Sequence, residues 1–149
     1  MSQAETDEPI LLLDDEFFIL KFLQSTLEAE GYRNIRQATS GEMAKEALER
    51  ERFRIFISDV FLPDGDGRDL AQRYLELNPE GRAVLMTGFS PEELELPEAL
   101  RGRVSLLEKP FTGEKLLAIL APEPTKEGVK GAALQLRSSP QIHLSAVVS

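Results

Sequence analysis

Short apolar runs recur along this chain, and each stops at a charged or small polar residue. Ile10 to Leu13 stops at Asp14-Asp15-Glu16, Ile55-Phe56-Ile57 at Ser58-Asp59, Ala83 to Met86 at Thr87-Gly88, and Val104 to Leu107 at Glu108-Lys109-Pro110. Continuous apolar runs of this length, rather than alternating ones, mark strands buried on both faces. They predict strands at 9–14, 54–59, 82–86 and 103–107, with a weaker one at 34–38. The intervening segments carry apolar residues at helical spacing. Ile19, Phe22, Leu23 and Leu27 form one stripe that stops at Gly31, a natural residue for a helix C-terminus. Met43, Ala44, Ala47 and Leu48 form another within 41–51. A third helix is expected over 69–77, with Pro79 just beyond it. Ser90-Pro91-Glu92-Glu93 reads as a helix start, with Pro97 limiting that fourth helix to about two turns. Thr112 caps a fifth through Leu120. Strand and helix alternate five times, which implies a parallel sheet with right-handed crossovers and helices on both faces.

Leu62-Pro63-Asp64-Gly65-Asp66-Gly67 is a turn by composition. It is not a calcium loop of the EF-hand kind, because Arg68 and Asp69 stand where that pattern needs a ligand and a glycine. Residues 1–8 are polar and read as a disordered start; 9–121 form one domain. Residues 122–149 have linker chemistry, with Pro122, Pro124, Gly128, Gly131 and Ser138-Ser139-Pro140, and are too short for a second domain.

The net charge is −9, and since 122–149 hold three cations against two acids, the first 121 residues carry −10. An acidic globule is repelled by nucleic-acid phosphates, so direct DNA or RNA binding is not expected. Whether that charge only solubilises the surface or also selects partners stays open. There is no cysteine, hence no disulfide framework or thiolate metal site. No apolar run reaches membrane-spanning length, and the start lacks a signal-peptide pattern, which makes a cytoplasmic location the expectation.

The stops matter because parallel strands share one C-terminal edge, where ligands bind. There, Asp14, Asp15 and Asp59 converge with Thr87 and Lys109. Three carboxylates, a hydroxyl and an amine suit a divalent metal and a phosphoryl group.

Asp14-Asp15, Ile57-Ser58-Asp59-Val60, the Leu62-to-Gly67 turn, Met86-Thr87-Gly88 and Glu108-Lys109-Pro110-Phe111 follow one another in this order. Together they closely resemble the receiver domain of two-component response regulators, over roughly 9–121. The resemblance implies a flavodoxin-like, CheY-like α/β sandwich of three layers, with a five-stranded parallel sheet of order 2-1-3-4-5 and five helices. It implies that Asp59 accepts a phosphoryl group from a histidine kinase or histidine phosphotransfer protein. It assigns Mg2+ to Asp15 and Asp59 directly, to Asp14 through water and to the Phe61 carbonyl. Thr87, the Gly88 N–H and Lys109 would hold the phosphoryl oxygens, with Thr87 and Leu106 as switch residues and Lys109–Pro110 cis. Enzymatic turnover beyond self-phosphorylation and autodephosphorylation is not implied.

The chain departs from that family in places. Leu106 stands where receivers commonly carry an aromatic residue, and the fourth helix is short, acidic and interrupted. The common symmetric homodimer through the helix 4–strand 5–helix 5 face is therefore not expected, although a homodimer remains possible. Phe17, Phe18 and Leu20 exceed what one apolar stripe needs and are candidates for a partner surface; equally, they can pack beneath neighbouring loops. Phe61 and Phe89 lie two residues after Asp59 and Thr87, positions that the resemblance implies flank the phosphoryl group and influence its lifetime; two phenyl rings there would restrict attacking water and give a long-lived acyl phosphate. Output must pass through protein contact with a downstream target or onward phosphotransfer.

Competing readings are a degenerate receiver used only for docking, a flavodoxin-like nucleotide or flavin binder, and an aspartyl phosphatase. The intact Asp59 and Lys109 argue against the first, and Asp14-Asp15-Glu16 in place of a phosphate-cradling loop against the second. The missing Asp-x-Asp motif after strand 1 argues against the third. His143, the sole histidine, lies in the tail and is not expected to donate phosphate.

Overall fold

A computed structural model of the chain describes residues 6–121 and 147–148. Five strands form one parallel sheet: β1 (Ile10–Leu13), β2 (Ile35–Ala38), β3 (Ile55–Asp59), β4 (Arg82–Thr87) and β5 (Val104–Glu108). Their spatial order is β2-β1-β3-β4-β5, as expected. Four α-helices cover it: α1 (Phe17–Ala29), α2 (Gly41–Arg50), α3 (Gly67–Leu77) and α4 (Gly113–Leu120). No described helix is long and apolar enough to cross a membrane.

The central strands are buried on both faces, so alternate residues feed two separate cores. Leu11, Leu13, Phe56, Ala83 and Leu85 pack beneath α2 and α3 with Ala44, Leu48, Ala71 and Tyr74. Ile10, Leu12, Ile55, Ile57, Val84 and Met86 face α1 and α4 with Ile19, Leu23, Leu27 and Leu116. The crossovers from β1 and β3 leave on opposite faces, which opens the cleft where parallel sheets bind ligands.

Helix ends follow the sequence cues. Ser40, Asp66 and Thr112 cap α2, α3 and α4 by accepting backbone N–H groups through their side chains. Gly31, beyond α1, has φ 107°, a conformation glycine adopts at little cost. Thr6 lies within the expected disordered start, yet it bridges to Tyr32 and donates its N–H to the Gly31 carbonyl. Val147–Val148 pairs antiparallel with Phe111–Thr112. The remainder of the expected tail, 122–146 with His143, lies outside the described residues.

The five-helix expectation is corrected to four α-helices among the described residues. Ser90 begins a single turn, its carbonyl accepting from the Glu93 and Leu94 N–H groups, and the chain then runs irregularly to a 3-10 turn at Glu98–Leu100. Pro97 has no N–H to donate, and its ring pushes Leu96 away from helical backbone. The segment instead buries Leu94 and Leu100 and packs Leu96 partly against the same core. Met43 is also corrected: it is about half exposed rather than on the core face of α2, where Gly41, Ala44 and Leu48 are buried.

Candidate functional site

Four adjacent strands deliver the chemistry to one edge. Asp59 and Thr87 sit at the ends of β3 and β4, Asp14-Asp15 directly follow β1, and Lys109 directly follows β5. The parallel register pairs Leu13 with Ser58, Asp59 with Met86 and Thr87 with Glu108, so the strand ends lie level. The Lys109 N–H donates to the Thr87 carbonyl at 2.7 Å, tying β5 to β4 at the rim. Lys109–Pro110 is cis, as expected.

The side chains meet there. Lys109 Nζ lies 3.3 Å from Asp14 Oδ2 and 3.5 Å from Asp59 Oδ1. One carboxylate oxygen each from Asp14, Asp15 and Asp59 falls within 4.8 Å of the others. Asp14 is fully buried, and its Oδ1 accepts the Glu16 N–H at 2.8 Å. Asp59 Oδ1 accepts the Val60 N–H at 3.1 Å. Thr87 is buried, and its hydroxyl oxygen accepts the Phe89 N–H at 2.9 Å, which leaves the hydroxyl proton available to another acceptor.

The electrostatics are unbalanced: one lysine faces three carboxylates. Burial lifts Asp59 from 3.8 to about 6; Lys109 opposes this, and Asp14 adds to it. Burial also raises Asp14, against the Glu16 N–H and Lys109, with Asp15 contributing in the same direction as burial. Burial disfavours the Lys109 charge, yet Asp14 and Asp59 hold its pKa above the usual lysine range.

These shifts set a direction for pH dependence. Without metal, folded Asp59 keeps its proton up to about pH 6, whereas the unfolded chain loses it near 3.8. Between those values the folded state binds more protons, so stability falls as pH rises. Asp59 alone accounts for a loss of about 2–3 kcal/mol across that window. In EDTA, the melting temperature is expected to be higher at pH 5 than at pH 7.5. Asp59→Asn should remove much of that difference, and thermal scans of both chains at both pH values provide the check.

Several placements differ from expectation. Leu20 is fully buried against β1 and β3, so it belongs to the core and not to a partner surface. It lies three before Leu23 and seven before Leu27, on the same helical stripe. Phe17 and Phe18 are 65% and 80% exposed, so neither packs beneath a loop, and their rings meet edge-on 6.1 Å apart. Phe61 and Phe89 are about half exposed and in contact, with ring centroids 5.6 Å apart. Leu106 is half-buried and lines one surface pocket with Thr87, Phe89 and Pro91. Gly88 is exposed at the end of β4.

Sequence reasoning missed the supports of the β3–α3 turn. Asp64 reaches across to cap α2, accepting the Gly41 and Glu42 N–H groups at 2.8 and 3.0 Å. Asp66 accepts from the Arg68 backbone at 2.8 Å, and Ser58 Oγ donates to the Asp59 carbonyl at 2.8 Å. An Asp directly before a helix start was a usable signal for the Asp66 cap. Nothing local marks Asp64, whose partners lie more than 20 residues away.

Comparisons with known proteins agree with this geometry. The family model described as "Response regulator receiver domain" matches residues 10–121. The response regulator receiver protein CpdR of Brucella abortus is 32% identical over 102 residues, which cover 68% of this chain and 84% of CpdR. The alginate biosynthesis transcriptional regulatory protein AlgB of Pseudomonas aeruginosa is 31% identical over 113 residues, 76% of this chain but only 25% of AlgB. The high-resolution structure of the chemotaxis response regulator CheY4 of Vibrio cholerae superposes with a TM-score of 0.67 at 28% identity, covering 77% of this chain and 97% of that chain.

Proposed function

This chain belongs to the response regulator receiver family, and we propose that it acts as a phosphoacceptor switch in which Asp59 takes a phosphoryl group from a histidine kinase or histidine phosphotransfer protein. The observation carrying this reading is the meeting of Asp14, Asp15 and Asp59 with Lys109 at one strand edge, beside buried Thr87.

The residues present fit Mg2+. Three crowded carboxylates against one ammonium leave unbalanced negative charge, and all three offer hard oxygen ligands. Asp15 and Asp59 would hold the ion directly, Asp14 through water, and the Phe61 carbonyl would complete the protein's share. When bound, the ion supplies charge neutralisation for the approach of an anionic phosphoryl group to a carboxylate. Because carboxylates must be ionised to bind it, affinity should climb as pH rises through about 6, where Asp59 titrates.

In the transfer, an Asp59 oxygen attacks phosphorus while the donor's bond to phosphorus breaks in line. Lys109, already beside Asp59, pairs with a phosphoryl oxygen, and Thr87 gives its free hydroxyl proton to another. The Gly88 N–H serves the third. Donors preset around the developing charge make the largest contribution in such transfers. Turning Thr87 toward the phosphoryl group weakens its bond from the Phe89 N–H, so the event reaches the pocket shared with Leu106. With leucine there and no α-helix over this edge, output passes through a reshaped 88–100 segment to a downstream protein, and any homodimer forms without that helix. The reading places the chain in the cytoplasm.

Exposed Phe17 and Phe18 border the acidic pair and supply an apolar surface for the phosphoryl donor. Phe18→Ala is expected to slow transfer from the partner at least tenfold, in line with a loss of about 2 kcal/mol at an aromatic contact. Uptake from acetyl phosphate, which needs no docking, should stay within about twofold. Comparing the two donors on one preparation checks this. The same surface also favours a second reading, a module that docks without phosphorylation. Beryllofluoride with Mg2+ discriminates between them: amide shifts at Thr87, Gly88 and Lys109, lost in Asp59→Asn, support the switch, and no binding supports the docking module.

A further inference from the structure

Near the candidate site, Arg68 joins three groups: Asp66, the Glu95 carbonyl and the Phe61 ring. Its Nε and Nη2 donate to the two oxygens of Asp66 at 3.0 and 2.7 Å, a fork that fixes the guanidinium plane. Its Nη1 donates to the Glu95 carbonyl at 2.7 Å, within the segment where a helix is lacking. Its guanidinium carbon sits 5.4 Å from the Phe61 ring centroid, within cation–π range. Phe61 in turn meets the Phe89 ring at an interplanar angle of 76°. Arg68 thus bridges the β3–α3 turn and the segment after β4.

The two rings are half-exposed and lie on the loops that follow the strands carrying Asp59 and Thr87. Phe61 follows Asp59 by two residues and Phe89 follows Thr87 by two, and β3 and β4 are neighbours paired at Asp59 and Met86. The two rings therefore meet at the end of the sheet that carries Asp59 and Thr87, and Phe89 lines one pocket with Thr87. Half-exposed phenyl groups have little core to hold them, and the interactions found here are with each other and, for Phe61, with Arg68. Arg68 is itself held by two partners, the Asp66 carboxylate and the Glu95 carbonyl, so it presents a fixed cation to the ring.

Resting on the phosphoacceptor reading above, we propose that Arg68 is a positioning residue that sets the lifetime of the Asp59 acyl phosphate, by holding Phe61 against Phe89 across the rim of the site. Hydrolysis requires a water oxygen to bond to phosphorus as the bond to the Asp59 oxygen breaks. The electron pair returns to the carboxylate, and the water's protons leave with the phosphate or to solvent. Paired phenyl rings offer that water no hydrogen-bond partner and restrict its approach. Freeing Phe61 opens the path.

The test follows adduct lifetime. Wild type, Arg68→Gln and Arg68→Lys are loaded with acetyl phosphate and Mg2+, desalted, and followed by intact mass. Arg68→Gln is expected to shorten the half-life about fivefold, and Arg68→Lys, which keeps the charge but not the fork, to fall between. In a Phe61→Ala background, adding Arg68→Gln should alter the half-life by less than about twofold, because Arg68 acts through that ring. A general structural weakening would not show this dependence on Phe61. A half-life unchanged by Arg68→Gln, or shortened equally with and without the Phe61 ring, overturns the assignment. Where Arg68→Gln does not fold, Arg68→Lys carries the test: a half-life shortened with the Phe61 ring and unchanged in the Phe61→Ala background supports the proposal, and an unchanged half-life in both overturns it. No adduct on wild type instead overturns the phosphoacceptor reading itself.

Discussion

Gly67→Ala is expected to lower the melting temperature by roughly 10 °C and to impair phosphoryl uptake with it, the loss of fold amounting to about 3 kcal/mol. Gly67 is the first residue of α3 and is buried directly under the acceptor strand. A Cβ there would collide with the Asp59 carbonyl oxygen and lie 2.9 Å from Ser58 Oγ, closer than atoms tolerate. The Gly67 N–H also donates to the Val60 carbonyl at 2.6 Å, so the helix start cannot retreat without breaking that bond. What yields is therefore the backbone carrying Asp59. Gly65→Ala, two residues earlier, is the control: nothing lies within 4 Å of its Cβ, and neither stability nor uptake should change much. Thermal scans and adduct formation on both chains separate a clash at Gly67 from a general effect of altering the turn.

Lys109→Ala is expected to slow phosphoryl uptake from acetyl phosphate by about a hundredfold, the usual scale for removing one charge-stabilising donor from a reaction centre. Its amine is the cation beside both Asp14 and Asp59, and the incoming phosphoryl group would take over that pairing. The substitution also leaves two buried acids less compensated. Both pKa values should move further up, so that at neutral pH a larger fraction of Asp59 is protonated and unable to attack. Lys109→Arg separates the two roles: it keeps the charge but replaces a compact ammonium with a planar fork that does not fit the same space. Uptake rates for the three chains, measured from pH 6 to pH 8.5, should show the Ala variant recovering partly as pH rises.

The sheet was legible because its strands are continuous apolar runs with abrupt polar stops, and the candidate site because those stops carry its carboxylates, hydroxyl and amine. Asp59, Thr87 and Lys109 needed only the rule that parallel strands end at a common edge. The fourth helix misled because its start is well formed: Ser90 does accept from Glu93 and Leu94, as a helix N-terminus would. Pro97 and the burial of Leu94 and Leu100 decide the rest, and burial depends on what packs opposite. Leu20 was misplaced for a similar reason. A stripe read from Ile19, Phe22 and Leu23 leaves Leu20 over, whereas the helix turns Leu20 inward and leaves Phe22 only partly buried. Contacts that cross the chain, such as Asp64 to α2 and Arg68 to Glu95, have no local sequence mark. They arise once the strand order brings neighbouring loops together.

The same cross-chain contacts link the site to its surroundings. Thr87 holds the Phe89 backbone, Phe89 meets Phe61, and Arg68 joins Phe61 to the segment at Glu95. These contacts connect Thr87 with both Phe89 and Glu95 of the irregular 88–100 segment, which takes the place of the expected helix.

As proposed, Asp59 accepts a phosphoryl group in a metal-dependent reaction. Intact mass after incubation with acetyl phosphate tests it most directly, with Mg2+ or EDTA, on wild type and Asp59→Asn side by side. The expected result is one phosphoryl adduct on wild type with Mg2+, none with EDTA and none on the variant. An adduct that persists on Asp59→Asn, or none on wild type while Mg2+ is present, would contradict it.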